Sequence, residues 1–183
     1  PRGGVPVGKA ISQELKVPLD IVFSKKISHP NDKEFAIGAV SLESRTVNPN
    51  IKVPDWYIEA ETKKIRDLIR RRFAQYYQNR KPLSWKGKVV IIVDDGVATG
   101  HTLLSTIDLV KKHNPLRIIV SVPVGPKEAI EMLKTYDGVD EVICLSVPDD
   151  FAAVGGFYTD FHQLTDVEVM ALLETRSRGN LAQ

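Results

Sequence analysis

The chain has little cysteine, little net charge and no long apolar run, and each shortage removes a class of protein. Cys144 is the only cysteine in 183 residues, so no intrachain disulfide can staple a secreted scaffold. It lies in the apolar run Val142-Ile143-Cys144-Leu145, which reads as a buried structural thiol rather than a nucleophile. Lysine and arginine number 25 against 23 acidic residues, a net charge of +2. That bias is too small to imply nucleic acid or a membrane surface, although a locally basic site for an anion stays open. No stretch approaches the roughly 18 apolar residues of a membrane span. A secretory leader pattern is also lacking, so the cytoplasm is the expected compartment. Repeats, low-complexity tracts and linkers are absent. One domain over residues 1–183 is therefore expected, long enough to bury its own core.

What is present alternates. Short β-rich runs at Asp20–Lys26, Phe35–Ser41, Lys88–Val93, Arg117–Val122 and Glu141–Ser146 take turns with helical patterns. The helices are expected at Val5–Leu15, Asp55–Asn79, Thr102–His113, Pro126–Tyr136 and Asp166–Thr175. Such alternation predicts an α/β fold with a parallel sheet between helices. Three of the strands are nearly continuous Val/Ile runs, as expected of strands buried on both faces. Asp55 is the expected N-cap of the second helix, and Thr165-Asp166-Val167-Glu168 has the pattern of a capping box. The second helix carries Ile65, Leu68, Ile69, Phe73, Tyr76 and Tyr77 at helical spacing, a stripe for core or homodimer packing. Its Arg70-Arg71-Arg72 run reads as a solvated face rather than a nucleic-acid contact.

Lys88–Val93 ends abruptly in Asp94-Asp95, followed by Gly96-Val97-Ala98-Thr99-Gly100-His101-Thr102 and then a helix. A strand-to-helix turn offers unpaired N–H groups at a helix N-terminus, which suits an anion. Gly96 and Gly100 let the backbone curl closely, and the Thr99 and Thr102 hydroxyls add donors. Asp94 and Asp95 are acceptors, suited to the two neighbouring hydroxyls of a ribose. A sugar phosphate satisfies all these groups at once.

In this run the chain resembles the type I phosphoribosyltransferase family, whose signature is an apolar strand, two acidic residues and a small Gly/Thr loop. The resemblance implies that Asp94 and Asp95 hold the ribose hydroxyls and that Gly96 through Thr102 hold the 5′-phosphate. It makes Arg2-Gly3-Gly4 the pyrophosphate loop and sets Lys25 and Lys26 against the same pyrophosphate. It further implies a lid over about residues 27–53, with polar Ser28–Lys33 as its mobile part, and a C-terminal hood over about residues 147–164. In the hood Phe151 would stack on a base and Asp160 would help hold Mg²⁺. The implied fold is a three-layer, doubly wound, mostly parallel sheet, with Phe35–Ser41 as an antiparallel edge strand. A Gly-rich turn like Arg2-Gly3-Gly4 normally follows a strand, so a strand upstream of Pro1 is expected, pairing between the second strand and Lys88–Val93.

The implied activity is a phosphoribosyltransferase that moves ribose 5-phosphate from phosphoribosyl pyrophosphate to a nitrogen nucleophile, a nucleobase, with release of pyrophosphate. Its ligands would be phosphoribosyl pyrophosphate, a small-molecule acceptor and Mg²⁺. Three positions depart from the 6-oxopurine members. Ala98 stands where they carry an acidic residue, Ser121-Val122-Pro123 lacks their lysine, and His101 is unusual beside a phosphate. Ala98 is instead typical of adenine members, which place a carboxylate in the lid, where Glu34 or Glu43 could serve. A non-catalytic regulator that binds the same ligand on the same fold is the alternative. A P-loop NTPase is the rival from another fold, because Gly3, Gly8 and Lys9 fall in register with its motif. Against it, Ala10 replaces the Mg²⁺-binding hydroxyl and Pro6 removes a loop N–H.

Overall fold

The computed structural model describes residues 2–78 and 81–174, apart from the side chains of Glu34 and Glu174. In chain order these residues form α1 (Gly4–Glu14), β1 (Lys25–His29), β2 (Asp32–Val40), β3 (Arg45–Val47), α2 (Asp55–Tyr77), β4 (Val89–Val93), α3 (His101–Lys111), β5 (Arg117–Val124), α4 (Lys127–Lys134), β6 (Glu141–Ser146), a 3₁₀ turn (Val154–Phe157) and α5 (Asp166–Glu174).

The strands form two sheets, a parallel one in the order β4-β5-β6 and an antiparallel one in the order β1-β2-β3. The α/β class with a parallel sheet is thus as expected. In the parallel sheet Ile118, Val120 and Val122 of β5 share one face with Ile92 of β4. There they meet Leu103, Ile107 and Val110 of α3 and Ala129, Ile130 and Leu133 of α4. The alternation of β5, with every second residue buried, is what a sheet face covered by helices dictates. A second core gathers Val5 of α1, Ile27 and Ile37 of the antiparallel sheet, Ile58, Ile65 and Ile69 of α2, and Val169 and Leu173 of α5.

Three expectations need correction. The parallel strands are not buried on both faces: Val89 is 50% exposed, Ile143 41% and Leu145 82%. Both α3 and α4 pack on one face only, and β6 closes the sheet as an edge strand. Cys144 accordingly is half-buried, not fully enclosed, and its thiol donates to the Ser146 carbonyl at 3.1 Å. The strand expected over Asp20–Lys26 is β1, and it begins at Lys25 rather than Asp20. Residues 20–23 instead run as an irregular tether, with Ile21 and Phe23 buried. Asp20 fixes that tether by accepting from the Tyr77 hydroxyl and from the Leu83 N–H at 2.8 Å. Finally, β2 is antiparallel as expected but central, flanked by β1 and β3. The three-residue β3 is too short for sequence periodicity to announce it.

The helix termini follow the sequence more closely. Thr165 and Glu168 close a reciprocal box at α5: the Thr165 N–H donates to Glu168 Oε2 at 2.7 Å, and the Glu168 N–H to Thr165 Oγ1 at 3.3 Å. At α2 the cap is Pro54, and Asp55 is the first helical residue. Proline there is compatible because the first N–H groups of a helix have no intrahelical acceptor. Among the described residues, no helix is long and apolar enough to cross a membrane.

Candidate functional site

Two turns far apart in sequence meet at the carboxyl end of β4. Gly3 packs so tightly on Asp95 that a Cβ there would stand 1.8 Å from Asp95 Oδ2. Next to it, a Cβ on Gly4 would stand 2.7 Å from the Val93 carbonyl oxygen and 2.8 Å from Asp94 Cα. At Gly4 the obstacle is backbone, so only glycine permits this approach there; at Gly3 it is the Asp95 carboxylate, which would have to turn aside. The Arg2-Gly3-Gly4 turn and the acidic pair are therefore neighbours.

Asp94 is half-buried, and its Oδ1 accepts from the Asp95 N–H at 3.1 Å. Burial, and then the adjoining Asp95 charge, push its carboxyl up from 3.8 to about 6. Among the described residues, this pair receives few donors. Sugar hydroxyls are donors of the right size and spacing.

Beyond the pair, residues 96–100 lie in no helix or strand, and α3 starts at His101. Gly100 takes φ 77°, the left-handed conformation that turns the loop into the helix. Val97 donates its N–H to the Val124 carbonyl at 2.9 Å, which pins the loop to β5. Among the described residues, no acceptor takes the N–H groups of Ala98, Thr99, His101 or Thr102. All four residues are exposed. Clustered free N–H groups at a helix N-terminus are the elements of an anion cradle.

Residues 147–164, the expected hood, fold onto the same place. Val154 sits on Gly96, where a Cβ would approach its Cγ1 to 2.6 Å. Tyr158 donates its hydroxyl to the Asp95 carbonyl at 2.5 Å. Burial raises that phenol, with Asp95 and Asp94 adding to the shift. Sequence reading missed Tyr158 because nothing distinguishes it from the other hood aromatics before the fold is known. Phe151, the residue singled out for base stacking, lies parallel to Phe157, with centroids 5.6 Å apart and planes at 11°.

Other candidates are placed differently. Lys25 and Lys26 open β1, where adjacent side chains point to opposite faces, so they do not form a paired clamp. Ser24, just before them, meets Thr106 of α3 at 3.3 Å, which sets the start of β1 one helical turn from Thr102. Ser28–Lys33 is the tip of the β1–β2 hairpin, with His29 paired to Asp32. The Glu34 side chain lies outside the described residues.

Asp160 is exposed, and its oxygens lie 3.0 and 3.1 Å from His162 Nδ1. Hydrogen bonding to His162 holds its carboxyl below the usual range. A magnesium ion takes hard oxygen ligands, and Asp160 is of that kind. Among the described residues, however, no group of three or more His, Cys, Asp or Glu side chains is placed to hold a metal ion. The described residues do not by themselves build a closed cation site. The P-loop comparison fails on geometry: Gly4–Ala10 is already helix, so Gly8 and Lys9 sit in helical turns rather than at the end of a phosphate loop.

Comparison with known proteins agrees with this geometry. The model of the phosphoribosyl transferase domain matches residues 1–162. A Mycobacterium tuberculosis H37Rv protein named "Putative phosphoribosyl transferase Rv0571c" is 34% identical over 185 aligned positions, covering 97% of this chain and 41% of its own length. Its counterpart in strain CDC 1551 gives the same figures. The chain thus spans less than half the length of these curated relatives. Among solved structures, the TT1426 protein of Thermus thermophilus matches with a TM-score of 0.84 at 40% identity, covering 94% of this chain and 83% of that one.

Proposed function

The chain belongs to the phosphoribosyl transferase domain family, and on that premise we propose that it transfers ribose 5-phosphate from phosphoribosyl pyrophosphate to a nitrogen nucleophile. The observation that carries this reading is the contact of Gly3 and Gly4 with the acidic pair beside an open Thr/Gly loop. It supports reading the acidic pair as acceptors for ribose hydroxyls, the loop as donors for a 5′-phosphate and the turn bearing Arg2 as the diphosphate side of the same site. In this reading Asp94 and Asp95 grip the ribose, residues 96–102 take the 5′-phosphate, and Arg2 meets the diphosphate. Lys25 and Lys26 point to opposite faces of β1, so in this reading one of them, not both, adds charge beside the diphosphate.

The C1–O bond to diphosphate breaks with its electron pair leaving on the diphosphate as the C1–N bond forms, and the nucleophile releases its proton to solvent. Charge builds on the departing diphosphate, so a fixed guanidinium is worth more at the transition state than in the ground state. Asp160 is the carboxylate proposed to hold Mg²⁺, which would supply positive charge to the leaving diphosphate. The hairpin of residues 27–53 serves as the lid and residues 147–164 as the hood, with Phe151 the candidate for base stacking. The acceptor is a nucleobase in this reading, and the setting is the cytoplasm.

The test is a panel of nucleobases and amines incubated with phosphoribosyl pyrophosphate and Mg²⁺, scored for pyrophosphate release. Release that depends on one acceptor supports the transferase. Tight binding of phosphoribosyl pyrophosphate without release under any acceptor would replace it with a ligand-sensing role on the same fold.

A further inference from the structure

Asp166 opens α5, beyond the residues that the family model matches. Its Oδ1 accepts from Arg2 Nη1 at 3.5 Å and from the hydroxyl of Tyr76. Tyr76 lies on α2 and is 2% exposed. Burial and then Asp166 push its phenol up to about 12, against the pull of Arg2 and Arg72. The phenol therefore remains a donor, and the carboxylate between it and Arg2 remains the acceptor.

The carboxylate is held from several sides. Tyr76 fixes it from α2, and the Thr165–Glu168 box fixes the helix turn that bears it. Val169, 0% exposed, and Leu173 anchor α5 in the core that also contains Val5 of α1. On the other partner, the backbone next to Arg2 is fixed by Gly3 on Asp95. What remains free to wander is the guanidinium, and Asp166 takes one of its ends. Five N–H donors in a planar fork leave the rest available for phosphate oxygens.

We propose that Asp166 is a positioning residue that orients the Arg2 guanidinium toward the diphosphate of the ligand. The proposal rests on the assignment of Arg2 to the diphosphate made above. A carboxylate near an anion site also repels the anion, so the two roles have opposite signs. If orientation dominates, removing Asp166 weakens diphosphate binding; if repulsion or competition dominates, removal tightens it. Fixation by Tyr76 and by the capped helix favours orientation, because a preorganised acceptor restricts the fork before the ligand arrives.

The experiment is calorimetric titration of the whole chain with phosphoribosyl pyrophosphate, inorganic diphosphate and ribose 5-phosphate. It compares wild type, Asp166→Ala, Asp166→Asn, Arg2→Ala and the Asp166→Ala/Arg2→Ala double variant. Asp166→Ala should weaken the two diphosphate ligands about 5-fold, within the range of coupling between contacting residues. Ribose 5-phosphate should bind unchanged, because it lacks the group that Arg2 reads. In the Arg2→Ala background the Asp166 substitution should have no further effect. Asp166→Asn keeps an acceptor for Tyr76 and should give a smaller loss with an unchanged melting temperature, which preserves the test if the alanine variant folds poorly. Equal loss for ribose 5-phosphate, independent losses in the double variant, or tighter diphosphate binding would each overturn the positioning role. A wild type that binds phosphoribosyl pyrophosphate undiminished by Arg2→Ala would instead overturn the Arg2 assignment beneath it.

Discussion

Gly4 and Gly8 lie on the same helix, yet replacing each with alanine should move stability in opposite directions. In a helix interior alanine is favoured over glycine by about 1 kcal/mol. At Gly8 the added Cβ meets only Leu19 Cδ1 at 3.0 Å and Val93 Cβ at 3.9 Å. The nearer atom is the end of a flexible side chain, so most of the helical gain should survive. At Gly4 the Cβ meets backbone, the Val93 carbonyl oxygen at 2.7 Å and Asp94 Cα at 2.8 Å. Neither can rotate away, and overpacking of this kind costs about 1–3 kcal/mol. Gly4 is also the first helical residue, where the gain from alanine is smaller than in the interior. Gly8→Ala should therefore be neutral to about 1 kcal/mol more stable, and Gly4→Ala about 1–2 kcal/mol less stable. Urea unfolding monitored by circular dichroism reads both, with midpoint and slope compared separately. Gly4→Ala should also lose phosphoribosyl pyrophosphate binding, since α1 must back away from the acidic pair. Equal stability of the two variants, or a Gly4→Ala protein as stable as wild type, would refute the close approach of the two turns.

Thr99→Ala with Thr102→Ala should weaken phosphoribosyl pyrophosphate by about 1 kcal/mol per lost hydroxyl, read by calorimetry, with little change in melting temperature because both side chains are exposed. Tyr158→Phe removes the bond to the Asp95 carbonyl and should lower stability by about 1 kcal/mol in urea unfolding. Thr165→Ala opens the capping box of α5 and should cost about 1 kcal/mol by the same measurement. Asp94→Asn should stabilise the fold above pH 6 while impairing phosphoribosyl pyrophosphate binding, a pairing of effects that unfolding and titration can each check.

How much of this was legible beforehand depends on the range of the interaction. The loop from Asp94 to Thr102 was legible because strand, acidic pair, glycines and helix start are contiguous in the chain. The capping box at Thr165 was legible for the same reason, being a four-residue device. Residues 20–23 misled because Ile21-Val22-Phe23 has the composition of a strand, and only pairing makes a strand. In the structure that run is tied by Asp20 to Tyr77 and Leu83 instead. The exposed faces of Ile143 and Leu145 were illegible because an apolar run reports preference, not which face a helix covers. Tyr158 and Asp166 were invisible as site residues: each acts by reaching a residue far away in sequence, Asp95 and Arg2 respectively. Single-sequence patterns carry no information at that separation.

The acidic pair shows what the site gives up in stability. The carboxyl of Asp94 titrates near 6 in the fold against 3.8 for an unperturbed group, because burial and then Asp95 oppose its charge. The native state thus holds a proton more tightly than the unfolded chain does. Below about pH 3.8 both states are protonated and the shift contributes nothing. As pH rises through 4 to 6 the unfolded chain ionises first, so stability falls, and above about 6 the full deficit stands. A shift of this size corresponds to about 3 kcal/mol at most, less whatever local relaxation returns. Asparagine carries no charge to bury, so the advantage of Asp94→Asn should be largest at pH 7–8 and vanish toward pH 4. Ribose hydroxyls would donate to the ionised pair and so favour the charged form. Ligand binding should then release a proton near pH 6, and affinity should weaken as pH falls through that value. Calorimetry in two buffers of different ionisation enthalpy measures the released proton directly. A stability gap between Asp94→Asn and wild type that does not change with pH would show that Asp94 is not carrying this charge. Proton uptake in place of release would show that the ligand does not use the pair as an acceptor.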